Sequence, residues 1–396
     1  MRLRLPNHIG IFLPLLDLLH FSHELSWGGL VALLPLLRDD FGLTYSTSGL
    51  LVSAYSLTYG VAQMPMGRLA DRIGCRLLIV LGTSGCALSI MAVGFSNSYF
   101  LIMALLVIAG FLGGAYHPAA NVLISGRFVE GQRGRAVGIH LIGGTSALLS
   151  APVLAGLFGE VIGWRAAFVI LAIPAPIASV LFWTLVRQEG TREPRGAGKT
   201  QHSLNLAQII KLVGAAVAAT ALIRIVSTGV ASFLPLFLVD KRSVSPFLAA
   251  AMLGLFRGSG LIGAPLGGFL CDRIGRPPLI LMALIAAGPL LFLLAFLPFS
   301  FAFVLALFAF GASIAVMPPT VQSLIMDRIP RGQIGLVIGI YFFLGSELSG
   351  LVTPLLGYLI DTIGLESSYG LLAILAAFAA VVFLIARGKI GLGPAR

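Results

Sequence analysis

The fold is decided by Gly67-Arg68-Leu69-Ala70-Asp71-Arg72-Ile73-Gly74, which returns as Gly268-Phe269-Leu270-Cys271-Asp272-Arg273-Ile274-Gly275. The second copy begins 201 residues after the first, and the same offset pairs Asp39 with Asp240 and Pro118 with Pro319. One gap-free offset over such a distance indicates an internal duplication. Two similar halves in an apolar chain are typical of membrane transporters built from repeats.

The composition of the chain predicts a membrane protein. Of its 396 residues, 58% are hydrophobic and only 10% are charged, whereas a soluble chain carries about 25% charge. Twelve apolar segments, six in each half, are long enough to cross a bilayer as helices, which needs about 20 residues. The first spans 11–37, and we interpret it as a transmembrane helix because it is too long for a cleaved signal peptide.

The basic excess follows the predicted topology. When both termini are placed in the cytoplasm, 20 of the 26 Lys and Arg residues fall on the cytoplasmic side and 4 in outside loops. Basic residues concentrate on the cytoplasmic side of membrane proteins. The net charge of +11 therefore does not indicate nucleic-acid binding.

Three segments make up the predicted organisation. Residues 1–187 form an N-terminal six-helix bundle, residues 188–205 a polar cytoplasmic linker, and residues 206–396 a C-terminal six-helix bundle. The linker is rich in Gly, Arg, Glu and Thr, a composition typical of flexible connections.

The repeated motif lies between the second and third spans of each half. Its glycines suit a tight turn, and its carboxylate can cap a helix or pair with an Arg. The motif resembles the signature loop of the major facilitator superfamily, although Cys75 stands where a basic residue is usual. The resemblance implies an all-α integral membrane protein of twelve transmembrane helices in two pseudo-symmetric six-helix bundles. It also implies a conformational gating role for Gly67, Asp71, Arg72, Gly74, Asp272 and Arg273.

Two shorter motifs resemble drug-efflux members of that superfamily. Gly138, Ala147, Ala151-Pro152 and Ala155-Gly156 follow the spacing of an antiporter signature, although a generic small-residue packing face remains an alternative. The segments His20–Glu24 and Gly113–Pro118 are similar to fosmidomycin-resistance-type efflux carriers. An Arg that many efflux members carry in the fourth helix is absent here, where Leu105 and Leu106 flank its position.

Ionisable residues inside lipid spans are costly and therefore indicate function. The chain has nine of them, namely Asp17, His20, His23, Glu24, His117, His140, Arg224, Arg257 and Glu347. The resemblance implies that the first, fourth, seventh and tenth helices line a central cavity. We therefore predict a substrate and proton-coupling site of Asp17, His20, Glu24, His117, Arg224, Arg257 and Glu347.

These residue types suit proton-coupled transport of an anion. A desolvated carboxyl such as Glu24 or Asp17 can exchange protons near neutral pH, as can imidazoles. Arg224 and Arg257 keep their charge and suit a phosphonate or carboxylate. A structural pairing of Glu347 with either Arg, and an interfacial place for Asp17, remain alternatives.

The sequence favours a proton-driven exporter of a small, anionic or amphipathic organic compound by alternating access. An organic-anion uptake symporter or uniporter and a transition-metal exporter remain open. We predict no enzyme activity, no cofactor and no resident metal, because no nucleotide, hydrolase or metalloprotease motif is present. The expected partners are a small-molecule substrate, protons and the lipid bilayer, without nucleic acid. We expect a monomer in a bacterial-type inner membrane.

Overall fold

The computed structural model describes residues 11–128, 130–186 and 204–389, and all regular structure within these ranges is helical. The all-α prediction is therefore confirmed. The described residues fall into two compact units. The first takes 11–43, 50–186 and 245–254, and the second takes 44–49, 204–244 and 255–389. Most of the predicted linker, residues 188–203, lies outside the described residues.

Nine helices account for residues 12–185. They are α1 (Phe12–Gly28), α2 (Leu34–Phe41), α3 (Tyr45–Ile73), α4 (Cys75–Val93), α5 (Tyr99–Gly113), α6 (Tyr116–Arg127), α7 (Glu130–Ile162), α8 (Trp164–Ala172) and α9 (Pro174–Leu185).

The second half of the chain follows the same plan. Its helices are α10 (Leu206–Ile209), which continues through a π-helical turn (Ile210–Gly214), α11 (Ala215–Arg242), α12 (Pro246–Gly258), α13 (Gly260–Ile274), α14 (Arg276–Phe296), α15 (Phe301–Ala315), α16 (Met317–Arg328), α17 (Arg331–Ile363) and α18 (Leu365–Lys389).

The duplication is visible in the backbone. Helices α6 and α16 begin and end 201 residues apart, and so do α7 and α17. Gly74 and Gly275 both have a φ of 86°, while Gly163 and Gly364 have 89° and 85°. Residues other than glycine rarely adopt a positive φ of this size, so each glycine allows the sharp turn that precedes the next helix. The repeated glycines thus fix the same two corners in both halves.

Within the described ranges, nine helical stretches are long and apolar enough to cross a membrane. The other three predicted spans also fall on helices. The first is divided into α1 and α2, and the second is the 29-residue α3, which has several hydroxyl side chains. The eleventh belongs to the 33-residue α17, of which Gly350–Ile363 is an apolar stretch within the described residues.

The fourth span is broken between α5 and α6, and this break positions a predicted site residue. Pro118 has no backbone N–H to donate, so it is best accommodated in the first turn of a helix, where that N–H has no partner within the helix. The chain turns at Gly114 and Ala115 and restarts at Tyr116. His117 is consequently held at the beginning of α6 rather than in the middle of a continuous helix.

A charged pair links α2 to α8 at one end of the first unit. The guanidinium of Arg165 donates to the carboxylate of Asp40 at 2.7 Å, and the indole of Trp164 donates to the same carboxylate at 3.1 Å. The second unit has its own pair, Arg242 with Glu366 at 3.2 Å. Arg165 and Glu366 are 201 residues apart. Each half therefore has an ion pair at this equivalent position, with a basic residue in the first half and an acidic residue in the second.

We expect Asp40→Asn to weaken the fold in a pH-dependent way. The hydrogen bonds from Arg165 and Trp164 lower the pKa of Asp40. The stabilisation is therefore present above the unfolded value of about 3.9 and is lost as the pH falls through the lower folded pKa. Because the pair is exposed and screened, it contributes no more than about 1 kcal/mol. Thermal unfolding in detergent at pH 7 and pH 3 measures the difference.

The control for this prediction is Asp39→Asn. Its carboxylate is 69% exposed and lies 3.5 Å from Arg38. We expect a smaller shift of the unfolding temperature than for Asp40→Asn at pH 7. Equal shifts for both variants, or an Asp40→Asn shift that persists at pH 3, would contradict the assignment.

Candidate functional site

Three of the predicted site residues meet inside the first unit. His20 and Glu24 are one helical turn apart on α1, so they point to the same side of that helix. Their Nε2 and Oε1 atoms are 3.8 Å apart, and the Nε2 of His117 on α6 is 3.9 Å from the same carboxylate oxygen. We call His20, Glu24 and His117 the triad. All three ligand-capable atoms lie within 4.8 Å of one another, so the triad is also able to hold a metal ion.

A backbone carbonyl sets the protonation pattern of His20. Its Nδ1 lies 2.9 Å from the carbonyl oxygen of His140 on α7. A carbonyl only accepts hydrogen bonds, so Nδ1 carries the hydrogen. In the neutral ring, Nε2 is then left with its lone pair facing Glu24, ready to take up a proton or another cation.

Burial differs across the triad. The side chains of His20 and Glu24 are 3% and 7% exposed, whereas that of His117 is 37% exposed. His117 is therefore the member through which an ion or a water molecule can reach the other two. A charge on Glu24 is poorly solvated, and its cost is reduced only by nearby polar groups.

Aromatic rings enclose the triad. Tyr116 stacks on His20 with ring centroids 5.0 Å apart, and its hydroxyl donates to the carbonyl of Leu16 at 3.0 Å. Tyr59 on α3 meets His117 edge to face at 6.1 Å. The bond to Leu16 fastens the start of α6 to α1, which holds His117 in place relative to His20 and Glu24.

His23 lies outside the triad, although it is on the same helix. It is fully buried and stacks on Tyr116 at 4.9 Å, and neither of its ring nitrogens has a hydrogen-bond partner among the described residues. His23 therefore contributes packing contacts to the group of aromatic rings that encloses the triad.

Asp17 faces α7 rather than the triad. Its carboxylate accepts a hydrogen bond of 2.8 Å from the backbone N–H of Gly143. The next residue, Gly144, lies so close to α1 that a Cβ there would overlap the His20 ring. Two adjacent glycines on α7 thus let the helices approach closely enough for backbone contacts to hold both Asp17 and His20.

The cationic site residues belong to the second unit. Arg224 is half-buried on α11 and interacts with the hydroxyl of Tyr341 on α17. Arg257 is half-buried in the last turn of α12. Glu347 lies on α17, but its side chain is outside the described residues, so its predicted pairing with either Arg stays a prediction.

The repeated motif corrects one expectation. Gly74 and Gly275 make the predicted turn, but Gly67 lies inside α3, where an added Cβ would meet only Pro118 at 3.9 Å. Gly67 is therefore not a turn residue, because the helix continues through it to Ile73. Arg72 is exposed, and the side chain of Asp71 lies outside the described residues.

In the second copy, the motif carries ion pairs. The guanidinium of Arg276 forms salt bridges with the carboxylate of Asp327 at 2.8 Å and with that of Asp272 at 3.7 Å. Arg273 instead covers the ring of Phe269 at 4.2 Å. The predicted gating residues Asp272 and Arg273 thus differ in their contacts, since Asp272 faces the α14 Arg while Arg273 lies over its own helix.

Comparison with known proteins decides the family. Residues 16–354 match the sequence profile of the Major Facilitator Superfamily. The chain belongs to this superfamily. It is therefore a multi-pass integral membrane transporter and not an enzyme, and the predicted fold is confirmed.

Relatives of this superfamily protein include "Multidrug resistance protein MdtG" of Salmonella arizonae and of Salmonella typhimurium. Each is 27% identical over 360 residues, which covers 88% of this chain and 87% of the relative. Among solved structures, a bacterial homologue of the human lysosomal transporter Spinster has a TM-score of 0.76 at 18% identity, covering 98% of this chain and 97% of that one. The nucleoside transporter NupG has a TM-score of 0.77 at 14% identity, covering 95% and 99%.

Several contributors to the site were not among the predicted residues. Tyr116 is adjacent to His117 in sequence, and the Gly143-Gly144 pair could have been noticed as a point of close helix approach. The contact of His20 with the His140 carbonyl could not be predicted from the sequence, because every residue has a backbone carbonyl. Its partner is decided by which helices pack together.

Proposed function

We propose that this chain is a proton-coupled exporter of small organic compounds, in which the triad binds and releases the coupling proton. The observation that carries the proposal is the position of Glu24, a buried carboxylate within 4 Å of two imidazole nitrogens inside a membrane-spanning unit. Such a group gains or loses a proton with a large change in local charge, which is what a transporter needs to sense a proton gradient.

Hydroxyl and thiol groups surround the carboxyl group of Glu24 that would exchange the proton. Besides the two histidines, Tyr55 and Tyr59 of α3, Cys86 of α4 and Tyr116 of α6 interact electrostatically with Glu24. Tyrosine and cysteine have ordinary pKa values of about 10 and 8.5, so they carry little charge at neutral pH. The charge balance therefore changes through the carboxylate and the imidazoles.

The proposed substrate class is a small anionic or amphipathic compound. Arg224 and Arg257 supply fixed positive charge on the second unit, and a guanidinium suits carboxylate or phosphonate groups. Efflux is supported by the name of the MdtG relatives and by the antiporter-like spacing along α7. Uptake of an organic anion on the same fold is the alternative, because a fold alone does not determine direction.

Alternating access follows as the proposed mechanism. Deprotonated Glu24 favours the state that accepts a proton from outside, and protonation removes the buried charge and allows the change of state. We propose an inner-membrane location, cytoplasmic termini and a monomer. We also propose that the N-terminal bundle ends at residue 187, that the C-terminal bundle begins at residue 206, and that residues 188–205 form the linker.

A transition-metal exporter is the second candidate, because the triad offers two imidazoles and a carboxylate within 4.8 Å. Zn²⁺-loaded liposomes distinguish the two. Movement of Zn²⁺ without movement of any organic compound would favour the metal exporter.

Transport in liposomes tests the main proposal. We expect purified protein to move fosmidomycin, an anionic phosphonate, or ethidium, a lipophilic cation, when a pH gradient is imposed. Dissipating the gradient with a protonophore should stop net movement, since no nucleotide site is present to supply energy. If neither the direction nor the rate of movement depends on the gradient, proton coupling is wrong. The preferred compound distinguishes an anionic from a cationic substrate.

A further inference from the structure

We propose that the triad is a binding site for a divalent transition metal of the zinc class. The ligands are the Nε2 atoms of His20 and His117 and a carboxylate oxygen of Glu24. This inference goes beyond the proposed function, because it concerns equilibrium binding of a metal ion and requires no transport.

The spacing of the three atoms is close to that of a metal site. They lie within 4.8 Å of one another, and Glu24 Oε1 is 3.8 and 3.9 Å from the two nitrogens. These separations are too long for direct hydrogen bonds. Zn²⁺ holds nitrogen and oxygen ligands at about 2.0–2.2 Å, which puts tetrahedral ligand atoms about 3.4 Å apart. The two pairs that include Glu24 exceed this separation by about 0.5 Å, and the two imidazole nitrogens, which are at most 4.8 Å apart, would have to approach each other by no more than about 1.4 Å.

The types of ligand select the metal. Two imidazoles and one carboxylate with an open fourth position are a recurring zinc ligand set. Mg²⁺ and Ca²⁺ prefer sites made of oxygen atoms. Imidazole nitrogen suits Zn²⁺, Cu²⁺, Ni²⁺ and Co²⁺ instead. The triad therefore discriminates against the abundant hard cations.

The tautomer of His20 prepares it as a ligand. Metal-binding histidines usually donate their other ring N–H to a carbonyl or carboxylate, which orients the ring and leaves the ligating nitrogen unprotonated. Nδ1 of His20 donates in this way to the carbonyl of His140 at 2.9 Å. The ring also stacks against Tyr116 at 5.0 Å and against the His140 ring at 4.4 Å.

Charge and access are compatible with a bound cation. Glu24 brings a negative charge that is 7% exposed, and a divalent ion would offset its desolvation. The side chain of His117 is 37% exposed, so an ion can arrive from that side, and water can take the fourth position. Metal binding requires the carboxylate and both lone pairs, so it competes with protons at the triad.

Zinc binding to the full-length protein, purified in detergent without a polyhistidine tag, tests the inference. Isothermal titration with ZnCl₂ should give one site per chain in the wild type. Loss of an outer-shell partner alone typically weakens metal sites about 10–100-fold, so Glu24→Gln and His117→Asn should weaken binding by at least that factor. Co²⁺ should give the visible absorption of a four-coordinate nitrogen and oxygen site, and Mg²⁺ should not compete.

Matched variants separate the triad from other ligands. His140→Phe keeps the backbone carbonyl and a stacked ring, and a variant with Cys75, Cys86 and Cys271 replaced by Ser removes every thiol, so both should retain the site. Thermal unfolding of each variant without metal verifies that it is folded. Unchanged zinc affinity in Glu24→Gln and His117→Asn, or affinity lost only with the cysteines, would overturn the inference. Failure of pH-driven transport would contradict the proposed function and leave zinc binding unaffected.

Discussion

Glu24→Gln is expected to abolish pH-driven net transport while the protein stays folded. Glutamine keeps the size of the side chain and removes the only acidic group of the triad, so the carboxyl proton that the proposal couples to substrate movement is lost. Exchange of labelled for unlabelled substrate needs no net proton movement and should continue. Uptake into liposomes with and without a pH gradient, compared with counterflow in the same liposomes, measures both activities.

The control is Asp39→Asn, which neutralises an exposed carboxylate on α2. It should transport like the wild type at every pH gradient. If Glu24→Gln retains gradient-driven transport, or if it loses counterflow along with it despite normal unfolding behaviour, Glu24 is not the coupling carboxylate.

Gly144→Ala is expected to disturb the site from the opposite helix. The new Cβ would overlap the His20 ring, which is packed against α7. Overpacking of this kind costs about 1–3 kcal/mol of unfolding free energy. Relief of the overlap should displace His20 from the His140 carbonyl and change the pH dependence of transport. Thermal unfolding and the pH profile of transport are the two measurements.

Gly138→Ala on the same helix is the matched control, because nothing lies within 4 Å of an added Cβ there. It should not lower the unfolding temperature, because alanine fits a helix at least as well as glycine. The double variant Gly144→Ala with His20→Ala removes the ring that causes the overlap. The loss of stability should then be less than additive by about 0.5–3 kcal/mol, the range for residues in contact. Strict additivity would show that Gly144 does not act through His20.

The helical architecture of this protein can be predicted from its sequence because the internal duplication repeats the same turn residues in both halves. Gly74 and Gly275 recur at the same place and make the same left-handed turn. Apolar length predicted the helices, but not the division of the first span near Gly29, where the two short helices α1 and α2 replace one. Gly67 lies inside α3, so a spacing that is repeated in both halves does not place a turn at each glycine of the motif.

The ionisable side chains of the triad could be selected from the sequence, but the groups that position them could not. His20 and Glu24 share a helix face by their spacing of four residues, and His117 was proposed through resemblance to efflux carriers. Which of the nine intramembrane ionisable residues approach each other depends on helix packing. That packing brings His117 to Glu24 and turns Asp17 toward Gly143. Spacing along one helix contains no information about a partner more than 100 residues away.

Proton movement during transport is the most direct test of the account. Liposomes containing the wild-type protein and a trapped pH-sensitive dye are given fosmidomycin or ethidium on one side, with no initial pH gradient. We predict that the moving compound drives protons in the opposite direction and changes the internal pH, and that Glu24→Gln liposomes show no such change. Substrate movement without any change of internal pH in the wild type would contradict proton coupling at the triad.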